Sequence, residues 1–293
     1  MAATDPEQLT IPSDAEALHP GSKGIKGVLA IDMDDVLCNT NATIVHMHSK
    51  LFPDAAEPPI AIEEFEHYLY WNNRGWGTQT ETVEMVGALY RNGLMDMPVP
   101  IPGAREGLLK LKAMGYSLIV ITARSEMQRE GTEEWLETNL PDIFDELHFT
   151  GAFNHLIPAT HSEHEGHAAR KAVVSHKQRT KHEVMRQTNA LLLVDDSAEN
   201  AVAAASADPP ARVLLFGEYP WNAEIVPPHG ECAAHPHDKL IYVERERQGL
   251  LVECKARRDM RIEHGWLPAG VSRVRDWEGV VDAVRAFELE KKA

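Results

Sequence analysis

Residues 27–38 read Gly-Val-Leu-Ala-Ile-Asp-Met-Asp-Asp-Val-Leu-Cys, and this stretch decides the fold. Its opening residues run apolar without polar alternation, which suits a strand covered on both faces, as in a parallel sheet. The carboxylates of Asp32, Asp34 and Asp35 follow at once. In an open α/β sheet, reactive side chains gather at the carboxyl ends of the strands. The stretch therefore predicts a buried strand that ends in a chemical site.

Four more apolar runs follow: Ser117–Thr122 (SLIVIT), Glu146–Thr150 (ELHFT), Ala190–Val194 (ALLLV) and Arg212–Phe216 (RVLLF). Helical patterns lie between them. Arg105–Met114 begins after the Pro102-Gly103 turn and stops at Gly115, and Ser125–Asn139, Thr180–Gln187 and Ser197–Ala207 read as further helices. Strands alternating with helices predict an α/β protein with a Rossmann-like doubly wound parallel sheet.

About 85 residues separate the first run from the second, far more than an ordinary crossover uses. Within them lie Phe52, Phe65, Tyr68, Tyr70, Trp71, Trp76 and Tyr90, with a glycine-bearing turn at Arg74–Gly77. The expected organisation is a flexible segment over 1–24, an α/β core over 25–39 and 101–220, and a mainly helical cap inserted over 40–100. Residues 221–293 form a C-terminal extension on or near the core, irregular after Pro220 and ending in a helix at Trp277–Glu290.

The composition bounds the partners. The chain has 293 residues and 43% hydrophobic content, with 45 acidic against 29 basic side chains and a formal charge of −16. That balance opposes binding to a nucleic acid polymer or an anionic membrane. An anionic substrate would need a local cation to reverse the field. No apolar run approaches the roughly 18 residues that span a bilayer. The first 24 residues carry Asp5, Glu7, Asp14 and Glu16 and do not read as a secretory signal. Cys38, Cys232 and Cys254 are too scattered for a disulfide framework. A cytoplasmic location is expected.

The chemistry sits at the strand ends. The first run ends at Asp32-Met33-Asp34, the second at Thr122-Ala123-Arg124 and the fourth at Asp195-Asp196-Ser197. Asp32, Asp34, Asp195 and Asp196 would converge, and like charges so close predict a hard divalent metal with oxygen ligands, most simply Mg²⁺. Two carboxylates two residues apart at a strand end suit covalent catalysis with a separate proton donor.

These ordered signals, over about Gly27–Gly217, resemble the haloacid dehalogenase superfamily. The resemblance implies that Asp32 is the nucleophile that forms an aspartyl-phosphate and that Asp34 is the acid and then the base. It implies that the Asp34 carbonyl ligates Mg²⁺, that Thr122 holds a phosphoryl oxygen and that Lys181 neutralises nucleophile and phosphate. Asp195, with Asp196, completes the metal site. Lys181 stands 14 positions before Asp195, the family's spacing, and is preferred to Lys171 and Lys177. A second acid at Asp34 points to phosphate esters, since a halide leaving group needs no proton. Asp35 departs from the family's usual glycine and adds charge at the turn or cap hinge. Asp32–Asn41, Tyr68–Gly77, Ile121–Arg124, Leu193–Asn200 and Leu214–Asn222 look like uncharacterised fungal members, distantly similar to 5′(3′)-deoxyribonucleotidases.

The resulting expectation is a Mg²⁺-dependent phosphatase acting on a small phosphorylated metabolite, with a nucleoside monophosphate the first class to test. A phosphotransferase or phosphomutase would use the same residues, and a non-catalytic binding protein is the third reading. Thr122, Ala123, Arg124, Arg74 and Trp76 are the substrate-binding candidates, with a salt bridge the competing role for Arg124 and the cap's own core the competing role for the aromatic residues. His161, His164 and His167 recur every third residue in a loop that reads as solvated, and Cys38 reads as a small buried residue.

Overall fold

The computed structural model describes residues 25–152 and 179–290. The strands are β1 (Gly27–Ile31), β2 (Tyr116–Thr122), β3 (Glu146–Phe149), β4 (Ala190–Asp195), β5 (Val213–Phe216) and β6 (Val271–Val274). They form one sheet in the order β3-β2-β1-β4-β5-β6, with every pair parallel. The doubly wound fold predicted from the apolar runs is what the chain adopts.

Burial on both faces explains why β1, β2, β4 and β5 are largely apolar. Leu29, Ile31, Leu118, Val120, Leu192, Val194, Leu214 and Phe216 point to one face. There they meet α3 (Ala104–Ala113), α4 (Arg129–Asn139) and α10 (Trp277–Glu290). Ala30, Ile119, Ile121, Leu193, Val213 and Leu215 point to the other, against α5 (Lys181–Thr188) and α6 (Ala198–Ala205). The inner residues of the strands are thus buried whichever way they face, while Glu146 of β3, Leu191 of β4 and Ser272 and Arg273 of β6 are exposed.

Between β1 and α3 lie α1 (Thr40–Leu51), α2 (Gln79–Arg91) and three short 3₁₀ turns. Thr78 and Glu81 form a reciprocal capping box that sets the start of α2. The insertion has its own cluster, with Ile44, Val45, Met47, Phe65, Trp76, Leu89 and Leu94, and two residues from outside it join, Trp221 within the cluster and Tyr219 packed against it.

The irregular reading of the stretch after Pro220 needs correction. α7 (Pro220–Ala223), α8 (Tyr242–Arg247), α9 (Leu251–His264) and β6 all lie there. β6 is only four residues long and reads Val-Ser-Arg-Val, too short and too polar to stand out as a buried strand. Its pairing with β5 supplies what its composition does not. Buried Arg245 donates to the Asn72 carbonyl, and Arg258 reaches Glu66 and the Pro220 carbonyl, so α8 and α9 are fastened to the insertion. The 1–24 segment, Lys171, Lys177, His161, His164 and His167 lie outside the described residues.

Candidate active site

β1 delivers Asp32 to the carboxyl edge of the sheet, where its N–H still donates to Val194 O at 2.9 Å. β4 delivers Asp195 and Asp196 beside it, because β1 and β4 are hydrogen-bonded neighbours. One carboxylate oxygen from each of Asp32, Asp195 and Asp196 lies within 4.8 Å of the others, and all three residues are buried. Lys181 enters from α5, whose start is set by a Thr180–Glu183 capping box. Its Nζ lies 2.6 Å from Asp32 Oδ2 and 2.7 Å from Asp195 Oδ2. The carboxylates are held from behind: Met33 N–H donates to Asp32 Oδ1 (2.7 Å), Ser197 N–H to Asp195 Oδ1 (2.9 Å) and Trp221 Nε1–H to Asp196 Oδ2 (2.6 Å).

Three buried carboxylates against one ammonium leave two negative charges uncompensated. Burial pushes Asp32 up from 3.8 to about 7, with the charges of Asp195 and Asp34 adding to the rise and Lys181 opposing it. Burial likewise raises Asp196 well above the carboxylate range, with Asp35, Asp32 and Asp195 reinforcing the shift. Lys181 moves the other way: burial disfavours its charge, but Asp195 and Asp32 outweigh that and raise it. The residues fit a divalent cation. All the donors are carboxylate oxygens, the choice of a hard ion, and two added positive charges would balance the cluster.

Asp34 points elsewhere. Its carboxylate accepts from Arg124 Nε (3.1 Å) and Nη2 (2.6 Å) and from the Thr40 hydroxyl (2.5 Å). Burial alone would raise its pKa, but the Arg124 guanidinium, with Thr40, holds it below the usual value. The expectation that four carboxylates share one volume is corrected on this point: the Asp34 side chain is outside the trio.

Of the two roles weighed for Arg124, the structure shows the salt bridge: its fork is held by Asp34 and by Thr132 Oγ1 (3.1 Å). Planar guanidinium geometry matches a carboxylate bidentately, and the residue is only 8% exposed. Thr122, at the end of β2, is fully buried, its hydroxyl accepting from Arg124 N–H (3.1 Å). Ala123 follows it, its carbonyl accepting from Ala152 N–H (3.2 Å).

Arg74 and Trp76 are both engaged within the insertion. Arg74 donates to the Pro58 carbonyl (2.9 Å) and pairs with Glu64 (3.0 Å). Trp76 has 0% exposure and packs on His48, Tyr70 and Phe65. Besides Thr40 and Asn41, the insertion brings Tyr68 near Asp196, Asp32 and Asp195, and Tyr70 and Tyr90 near Asp34. Burial comes first in raising each of these phenols, and the carboxylates add to it. Tyr68 and Tyr70 stood in the aromatic stretch, but nothing in its spacing ranks them above Trp76.

Asp35 takes a left-handed backbone (φ 58°), where glycine is usual and aspartate is among the tolerated residues. Its carboxylate accepts from Asn41 N–H at 3.1 Å in the first turn of α1, where the helix dipole favours a negative charge. Cys38 is buried, and burial, with Asp34 nearby, drives its thiol far up.

A second grouping, His235, His237 and Glu253, has donors equally close. Arg257 already holds Glu253, and His235 Nδ1 accepts from His237 N–H (3.2 Å).

A model of the haloacid dehalogenase-like hydrolases matches residues 27–208. A curated protein of Oceanobacillus iheyensis, named a "putative nucleotidase", is 28% identical over 127 residues, covering 41% of this chain and 63% of its own length. The chain therefore spans less than two thirds of that relative. Among solved structures, a conserved haloacid dehalogenase-like protein of unknown function from Agrobacterium tumefaciens has a TM-score of 0.52 at 13% identity, covering 90% of this chain and 100% of that one. A family hydrolase from Deinococcus radiodurans, solved with bound phosphate and sodium, has a TM-score of 0.43 at 14% identity, covering 70% and 83%. Among the described residues no helix is long and apolar enough to cross a membrane.

Proposed function

We propose that this chain, which belongs to the haloacid dehalogenase-like hydrolases, is a Mg²⁺-dependent phosphatase that hydrolyses a small phosphomonoester through an aspartyl-phosphate on Asp32. The observation that carries the reading is Lys181, whose ammonium bridges Asp32 and Asp195 beside Asp196 at the ends of two adjacent strands. That arrangement holds one carboxylate oxygen of Asp32 on the ammonium, and a divalent cation added beside it would turn the charge favourable where a phosphoryl group must sit.

In this reading Asp32 attacks phosphorus and the ester oxygen leaves with a proton from Asp34. Asp34 then takes a proton from the water that releases phosphate and regenerates Asp32. Arg124 keeps Asp34 ionised, which is the form that serves as base, so its turn as acid requires release from the guanidinium fork. Lys181 offsets the charge on Asp32 and on the phosphoryl group, and the Thr122 hydroxyl holds a phosphoryl oxygen. Asp32, Asp195 and Asp196, with the Asp34 carbonyl, would hold Mg²⁺, which when bound supplies charge neutralisation for the transferring phosphoryl group. Residues 40–100 serve as the cap over a core of 25–39 and 101–220. Tyr68, Tyr70 and Tyr90 are its contribution to the cleft wall. A nucleoside monophosphate is the first substrate class, supported by the name of the Oceanobacillus relative and by these aromatic rings.

The test is phosphate release from a panel of phosphomonoesters that includes nucleoside monophosphates, with Mg²⁺ and with EDTA. Asp32→Asn is expected to abolish release while keeping the parent's unfolding temperature. Release at the parent rate from the purified variant would overturn Asp32 as the nucleophile.

A further inference from the structure

Leu214–Asn222 has no role in the chemistry above, yet its last residues touch the carboxylate cluster. After β5 the chain folds back through Gly217 (φ 82°) into the short helix α7. There Trp221, 4% exposed, donates its indole N–H to Asp196 Oδ2 at 2.6 Å. Asn222, fully buried, donates its amide to the Asp196 carbonyl (2.9 Å) and to the Phe216 carbonyl (2.9 Å). Asp196 is therefore held at both its backbone and its carboxylate by two consecutive residues. The Trp221 ring itself is fixed: Tyr219 stacks on it at 4.4 Å and 7°, and Phe65 of the insertion meets it edge-on at 6.0 Å.

Resting on the metal reading above, we infer that Trp221 is a positioning residue for metal ligation by Asp196. A carboxylate free to rotate in a buried cluster would turn away from its charged neighbours. An indole N–H on Oδ2 fixes the rotation of a carboxylate that has one oxygen within 4.8 Å of those of Asp32 and Asp195. Outer-shell donors of this kind orient a ligand and tune its affinity, and their loss typically weakens metal binding about 10- to 100-fold. Because the same ring packs in the cluster of the insertion, the position of Asp196 is also tied to the packing of that element.

Trp221→Phe keeps an aromatic ring and removes the donor together with part of the indole. Calorimetric titration with Mg²⁺ alone, without substrate, is expected to show binding weakened about 10-fold or more, at a temperature where the metal-free variant, though less stable than the parent, is still fully folded. In an Asp196→Asn background the same substitution is expected to add no further loss, since the two residues act as one unit. Equal Mg²⁺ affinity in Trp221→Phe and parent would overturn the inference, as would an additive loss in the double variant. A second readout needs no change at Trp221. Among the six indole N–H resonances, Trp221's is the one that moves in Asp196→Asn, and in the parent it should shift as Mg²⁺ saturates the calorimetric site. A resonance that stays fixed through saturation overturns the inference even if Trp221→Phe does not fold. A parent that binds no Mg²⁺ would overturn the metal reading and this inference together, whereas a parent that binds while Trp221→Phe binds equally overturns the inference alone.

Discussion

At the scale of the residue, the site is governed by how few cations serve many carboxylates. Asp32 is raised from 3.8 to about 7 first by burial, then by Asp195 and Asp34, against Lys181. The folded chain thus keeps a proton that the unfolded chain releases over that interval. For this group the metal-free protein loses stability as pH rises from 3.8 toward 7 and changes little above it. Mg²⁺ requires the ionised carboxylate, so its affinity is expected to tighten as pH rises from about 6 to about 8, with proton release on binding at the lower end. Calorimetry in two buffers of different ionisation enthalpy checks this, and a pH-independent affinity would contradict it. The opposite shift at Asp34 has a different owner. Arg124→Gln removes the cation that lowers its pKa, so the acid limb of the pH–rate profile should move to higher pH. An unmoved limb would mean that Asp34 is not the titrating base.

At the scale of the element, close packing sets what the helices tolerate. Gly107 lies in α3 where a Cβ would stand 2.7 Å from Trp277 Cε3 of α10. Helix propensity favours alanine there by about 1 kcal/mol, but overpacking a filled interface costs about 1–3 kcal/mol. Gly107→Ala is therefore expected to destabilise the protein, read as a lower denaturation midpoint with an unchanged slope. A higher midpoint would show that α10 can yield. Capping boxes fix other elements without the help of packing. Thr180 and Glu183 start α5 at Lys181 and so decide where the ammonium enters the site.

At the scale of the whole molecule, the segment beyond Pro220 completes the sheet rather than trailing from it. β6 covers the β5 edge, and Trp277, Val280, Val281 and Val284 of α10 fill one face of the core. Those side chains contribute about 1.5–3 kcal/mol apiece, against a total stability of about 5–15 kcal/mol for an ordinary domain. A chain ending at Ala223 should fail to fold cooperatively and should aggregate through its open β5 edge, which circular dichroism and size-exclusion chromatography would show. A monomeric truncation with a sharp transition would contradict that role. A similar dependence on distant parts joins the insertion to the rest, through Arg245 on Asn72 and Arg258 on Glu66.

The sequence by itself determined the doubly wound sheet and where its first five strands lie along the chain, because continuous apolar runs ending in charged or hydroxyl residues can be stable only between two layers of helices. It also singled out Asp32, Asp195, Asp196 and Lys181, which the fold does gather, since each stands at a strand end or at a helix start whose position is locally encoded. Tertiary structure alone decided the rest. That Arg124 closes on Asp34, that Trp76 is core while Tyr68 is close to the carboxylates, and that a Val-Ser-Arg-Val stretch becomes a strand all depend on partners far away in the chain. A guanidinium, an indole or a half-polar strand has no preference of its own between those fates. Its burial and its hydrogen-bond partners choose, and these exist only once the chain has folded.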